Sequence, residues 1–338
     1  MPFNINSRRY LGNKYKLLTF IRGVVEENCD NINSVCDIFS GTGSVASAFL
    51  DKQLIVNDMM YSNYLAALTW FSPEIIDYAK LNEILFGINT RDYSKEENYM
   101  SEFFSDTYFS RYTCKKIGYF REEIEQIYNK GEINNRERAI LITSLIYTMD
   151  KHAKTCGHYD SFIQGAIHDE DFTIELPNLD YQPNANNQCF NEDANLLIRR
   201  IECDLLYLDP PYNSRQYCDA YHLLENVAMW NKPEVIGVAK KMDRTAYKSD
   251  YCKTVASTAL EELVDNANCR YILLSYNNTG KKYQIRSNAK ISDEEILRIL
   301  SKKGKVSIFT TDYKAFTAGK SENNENQERL FLCQVENM

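Results

Sequence analysis

From Lys14 to Glu27 the apolar residues Leu17, Leu18, Ile21, Val24 and Val25 recur at helical spacing and predict a helix. "SVCDIF", Ser34 to Phe39, is short and continuously apolar, the pattern of a buried strand. "SGTGSVASAFL" predicts a tight turn through two glycines into a helix of small and apolar residues, and "QLIVND" a second strand ending at Asp58. "SNYLAALTWF" reads as a helix capped by Ser62. This succession is the grammar of a parallel α/β sheet.

The pattern changes at Pro73. As far as Asp150 it is polar, Tyr-rich and helical, with "YFREEIEQIYNK" and "RERAILITSLIYTMDKHAK" the clear helices and no strand between them. Strand periodicity returns with "QCFNEDANLLIRR", read as strand, acidic loop and helix, then with "DLLYLDPPY" and "CRYILLSYNNTG". "SDEEILRILSKKG" predicts a capped helix. "KVSIFTTDYKAF" and "RLFLCQVEN" predict a terminal hairpin. The expectation is an α/β fold of 1–70 and 186–338, interrupted by a mainly helical insertion, 71–185.

No apolar stretch is long enough for a membrane span, and "MPFNINSRRYLGNKYK" lacks the apolar core of a signal peptide. Ten cysteines without a CxxC pair, and only four histidines, argue against a metal site and for reduced thiols, hence a cytoplasmic location. The net charge of −8 does not favour nucleic acid, but binding needs only a local basic face. Two clusters qualify: Lys240, Lys241, Arg244, Lys248 and Lys253, and Lys281, Lys282, Arg286 and Lys290. A solvated face accounts for either cluster as well as phosphate contact does.

Two loops carry chemistry. "DIFSGTGS", Asp37 to Ser44, has Gly41 and Gly43 but no third glycine for a pyrophosphate fingerprint and no GK[ST] of a phosphate loop. A nucleoside ligand without phosphates is favoured, and Asp58 ends the next strand, where acids commonly hold ribose hydroxyls. In "DLLYLDPPYNSRQY" the apolar run ends in Asp209, Pro210, Pro211 and Tyr212. The prolines leave carbonyl acceptors and no competing N–H donors. An acid, a carbonyl and a flat ring together form a receptor for a planar base bearing an amino group. Adenine and cytosine both satisfy that description.

With these residues in view, the chain resembles the D12 class of N6-adenine DNA methyltransferases, which includes the Dam enzymes. "RYLGNKYKLL" looks like their N-terminal cofactor motif, "DIFSGTGSVA" their S-adenosylmethionine loop and "DPPY" their catalytic motif. "DPPYNSRQY", "YHLLE" and "LSYNNTG" look most like the FokI-type modification enzymes. The resemblance implies a Rossmann-like S-adenosylmethionine-dependent fold, methyl transfer to adenine N6 in double-stranded DNA by base flipping, and a place in restriction–modification. A cognate endonuclease and a second methylase are the implied partners. Carried over, Tyr10 and Lys14 flank the cofactor's methionine end, Asp37, Phe39, Gly41 and Gly43 line its pocket, Asp58 holds the ribose and Asp193 lies near its adenine. Asp209, Pro210, Pro211 and Tyr212 hold the target base. Arg215 and Tyr217, directly after that loop, are expected at the DNA along with Lys240, Lys241, Arg244, Lys281, Lys282 and Arg286. His158 and Tyr159 are equally readable as DNA-facing or as a structural pair.

Overall fold

The computed structural model describes residues 3–163, 165, 171–212, 214–278, 290–312 and 327–336. The chain divides into two compact units. One comprises Lys14–Met59, Asn186–Gln216 and Tyr247–Met338; the other comprises Met1–Asn13, Met60–Ala185 and Tyr217–Ala246.

The first unit holds a seven-stranded sheet: β1 (Ser34–Asp37), β2 (Gln53–Asn57), β3 (Gln188–Phe190), β4 (Glu202–Leu208), β5 (Asn268–Asn278), β6 (Gly304–Asp312) and β7 (Gln327–Val335). Their order is β3-β2-β1-β4-β5-β7-β6. The neighbours from β3 to β5 are parallel, whereas β7 is antiparallel to both β5 and β6. The expected terminal hairpin is therefore present, with its second strand inserted between β5 and its first. Starting at β1, the chain builds outward through β2 and β3, then turns back through β4 and β5. The carboxyl ends of β1 and β4 thus flank the topological switch point, where open α/β sheets bind ligands.

The sheet's core explains its strand sequences. Leu205, Leu206 and Leu208 of β4 and Ile272, Leu273 and Leu274 of β5 are fully buried, so continuous apolar runs replace alternation. The Ala256–Asn266 helix contributes Leu260, Leu263 and Val264, and the Asp293–Leu300 helix Ile296, Ile299 and Leu300. Each such side chain contributes about 1.5–3 kcal/mol. The second helix starts in a capping box between Ser292 and Glu295, as its sequence predicts.

After the glycine turn the structure departs from the expected helix. Ala46–Phe49 forms only a short 3-10 turn. The Ala46 N–H donates to Asp37 Oδ2 at 3.2 Å, so a side chain at the end of β1 takes a donor near the turn's start.

The second unit is helical: Tyr61–Phe71, Tyr78–Thr90, Tyr99–Phe103, Arg111–Asn129, Asn135–His152, Tyr217–Ala220 and His222–Met229. It takes in more than 71–185, because Tyr61–Phe71 packs on both Asn135–His152 and His222–Met229. Ser62 does not cap the Tyr61–Phe71 helix, for it lies inside the first turn. Glu225 does that work: its carboxylate accepts from the backbone N–H groups of Tyr61 (2.6 Å) and Ser62 (3.0 Å). No helix among the described residues is long and apolar enough to cross a membrane.

Candidate active site

The glycine loop leaves β1 with Gly41 at φ +53° and Gly43 at φ +84°, backbone that only glycine adopts without strain. Two bonds set it. The Gly41 N–H donates to Asp58 Oδ2 at 2.8 Å, and the Ser40 N–H to the Asn57 carbonyl at 3.0 Å. Asn57, which the sequence reading passed over, is 1 % exposed. Its amide donates to the carbonyls of Ile38 (3.0 Å) and Glu192 (3.1 Å), tying the loops after β1 and β3 together. Only its place directly before Asp58 could have drawn attention to it. Phe39 packs edge-on against Tyr251, ring centroids 5.0 Å apart.

Asp209 follows the end of β4, next to β1, whose Asp37 pairs in register with Tyr207. Lys14 Nζ lies 2.9 Å from Asp209 Oδ1 and 3.4 Å from Glu328 Oε1. It also stands 5.8 Å from the centre of the Tyr212 ring. Burial works against the Lys14 charge, yet Asp209 and Glu328 hold its proton affinity well above the usual lysine value. Burial pushes Asp209 up to about 6, opposed by Lys14 and reinforced by Glu328. Pro210 is buried, while Pro211 and Tyr212 are half-buried. The Tyr212 ring meets Tyr276 edge-on at 6.0 Å, and the Tyr212 carbonyl accepts from the Lys290 N–H at 3.0 Å.

Asp37 is 1 % exposed. Burial, then the charge of Asp209, pushes it up to about 8. Its Oδ1 and the buried Ser40 Oγ have no hydrogen-bond partner among the described residues. An unmet buried polar atom costs about 1–3 kcal/mol, so these atoms suit a polar ligand. Asp37, Asp58 and Asp209 all stand at carboxyl ends of strands in this unit. They bring three carboxyl side chains to the ligand-binding edge of the sheet, one of them, Asp209, paired with Lys14.

The other expected site residues have these contacts. Asp193 caps the Ala194–Leu197 helix, with Oδ1 accepting from the Asn195 and Leu196 N–H groups at 2.9 and 3.1 Å. Glu192 pairs with Arg200. The Arg215 carbonyl accepts from Cys252 Sγ at 3.4 Å. In the helical unit Tyr10 stacks on Tyr217 (5.3 Å) and Tyr221 (4.7 Å), and the Tyr217 hydroxyl donates to the Leu11 carbonyl at 3.2 Å. Lys241 pairs with Asp160 at 2.7 Å and Arg244 with Asp219 at 2.5 Å, so these two cations are already engaged by acids. Lys240, half-buried, has left-handed backbone at φ +51°. Tyr159 is a core residue, 1 % exposed, its hydroxyl donating to Asp150 at 2.9 Å. Lys281, Lys282 and Arg286 lie outside the described residues. No cluster of three or more metal-ligating side chains occurs among the described residues.

Comparison with known proteins adds the family. The model of the D12 class N6 adenine-specific DNA methyltransferases matches residues 10–287. The type II methyltransferase M.NlaIII of Neisseria lactamica is 31 % identical, over 94 % of this chain and 95 % of that protein. This chain belongs to the D12 class. It is also similar to the modification methylase StsI of Streptococcus sanguinis (32 % identical, 96 % of this chain) and the type II methyltransferase M.FokI of Planomicrobium okeanokoites (31 %, 96 %). It spans about half the length of these two relatives, 52 % of each. The seven-stranded sheet is that of a Rossmann-like methyltransferase.

Proposed function

We propose that this chain moves the methyl group of S-adenosylmethionine to N6 of adenine in double-stranded DNA, as the modification component of a restriction–modification system. The observation that carries this reading is Asp209. Its carboxylate stands at the switch point of the sheet, with Oδ1 engaged by Lys14 and the Pro-Pro-Tyr loop following it.

S-adenosylmethionine, when bound, supplies an electrophilic methyl group on a sulfonium centre. Phe39, Gly41 and Gly43 would line its pocket, and Asp37, Ser40 and Asp58 would meet its polar groups. Lys14 is spent on two carboxylates, so we assign it to the target-base side. Asp193 is spent on a helix cap, so we assign it a structural role. The amino nitrogen of adenine is a poor nucleophile because its lone pair is delocalised into the ring. Donating its N–H bonds to Asp209 Oδ2 and the Pro210 carbonyl would localise that pair, and in-line alignment would supply much of the remaining acceleration. The methylated nitrogen is cationic, and Asp209, with its raised proton affinity, is a fitting first acceptor of the proton it must lose. The base must leave the duplex, at a few kcal/mol of unstacking, partly offset by the Tyr212 ring.

Expression in a methylation-free host, read by strand-resolved modification-sensitive sequencing, tests the proposal. One glycine loop and one DPPY imply one base-reading site. On an asymmetric sequence that site cannot read both strands, since each wrong base pair costs about 1–3 kcal/mol. The expected result is N6-methyladenine on one strand, leaving the other to a second methylase. N4-methylcytosine would overturn the adenine assignment. Modification of both strands of a palindrome would overturn the single-strand part alone.

A further inference from the structure

Glu328 belongs to no motif in the chain, yet this acidic side chain is only 2 % exposed. It lies on β7 opposite Asn277 of β5. The Ser275 hydroxyl donates to its Oε1 at 2.8 Å, and Lys14 Nζ lies 3.4 Å from the same oxygen. Burying a carboxylate costs several kcal/mol unless it is well paired, and this one shares the Lys14 ammonium with Asp209.

Charge balance gives the arrangement a purpose. Lys14 and Asp209 alone form a neutral pair, a weak attractor for an amine that becomes cationic on methylation. Adding Glu328 leaves the group with one net negative charge.

We propose that Glu328 is a positioning residue for methyl transfer: it balances Lys14, so that the ammonium fixes the Asp209 carboxylate in place without cancelling the negative charge offered to the target amine. This rests on the reading that Asp209 receives that amine. The other titratable groups facing Asp209 are Asp37 from β1 and Tyr207 from β4, while Tyr212 from its own loop faces Lys14.

Glu328→Gln keeps the shape and an acceptor for Ser275 and removes only the charge. Expected are a kcat loss on the order of tenfold or more, an unchanged KM for S-adenosylmethionine, and an acid limb of kcat/KM displaced to lower pH. The limb moves that way because losing a neighbouring negative charge eases ionisation of Asp209. An unmoved limb with unchanged kcat, or a loss in rate that only tracks lost thermal stability, makes Glu328 a structural residue and overturns the inference. If Glu328→Gln does not fold, Glu328→Asp decides. It keeps the charge, so the limb should stay in place and kcat should remain within a few-fold of wild type; a kcat loss of tenfold or more with the limb unmoved would overturn the inference. If the wild-type protein methylates no DNA, the failure belongs to the functional reading instead.

Discussion

In the proposed reaction Asp209 has to be an anion to accept the amine's hydrogens, yet burial raises its proton affinity, to about 6. The acceptor form is therefore present above that value and is lost as pH falls through it. kcat/KM should decline with a single ionisation near pH 6, and a profile flat to pH 5 would contradict the role given to Asp209. Tyr212 offers a ring more than a hydroxyl, so Tyr212→Phe should keep most of the wild-type rate and Tyr212→Ala should lose it. Steady-state rates on one DNA substrate compare them, and equal rates would remove the stacking argument. Asp209 and the two glycines were legible in the sequence because each motif is contiguous and breaks an apolar run. The Lys14, Glu328 and Ser275 contacts were not, because they join segments remote in sequence. The cofactor role expected of Lys14 came from its place in an N-terminal motif, which cannot show which carboxylate the ammonium meets.

At the scale of elements, the strands and long helices follow their hydrophobic periods, and the sequence misleads mainly at ends. A helix after the glycine loop was expected from its small and apolar residues, but Asp37 draws the Ala46 N–H and only a 3-10 turn forms. Ser62 has the chemistry of a cap and stands before an apolar stretch, yet Glu225, from another helix, takes the two N–H groups. No local rule anticipates a cap supplied from so far along the chain. Glu225→Ala should cost about 1–2 kcal/mol in urea unfolding, the range for losing a helix cap. Ser62→Ala should cost less, since its hydroxyl bonds no helix end. Equal losses would return the cap to Ser62.

At the scale of the molecule, the proposed function asks an acidic chain to bind a polyanion. The structure narrows the basic surface, because Lys241, Arg244 and Lys253 already pair with Asp160, Asp219 and Asp250. Lys240 and Lys248 are the better candidates for phosphate. Each should flatten the log–log salt dependence of DNA binding by about 0.9 when changed to Gln, and Lys241→Gln should flatten it less. Unchanged slopes for Lys240→Gln and Lys248→Gln would make this cluster a solvated face. The central claim is that Asp209 belongs to methyl transfer and not to the cofactor pocket. It is tested most directly by incubating wild-type protein and Asp209→Ala with methyl-labelled S-adenosylmethionine and unmethylated DNA. Base analysis reads the transfer, and calorimetry reads cofactor binding by the same two proteins. The account predicts labelled N6-methyladenine from the wild type, a loss of at least about 10²-fold in the variant, and similar cofactor affinity in both. A variant that still methylates, or one that loses S-adenosylmethionine binding along with activity, would contradict it.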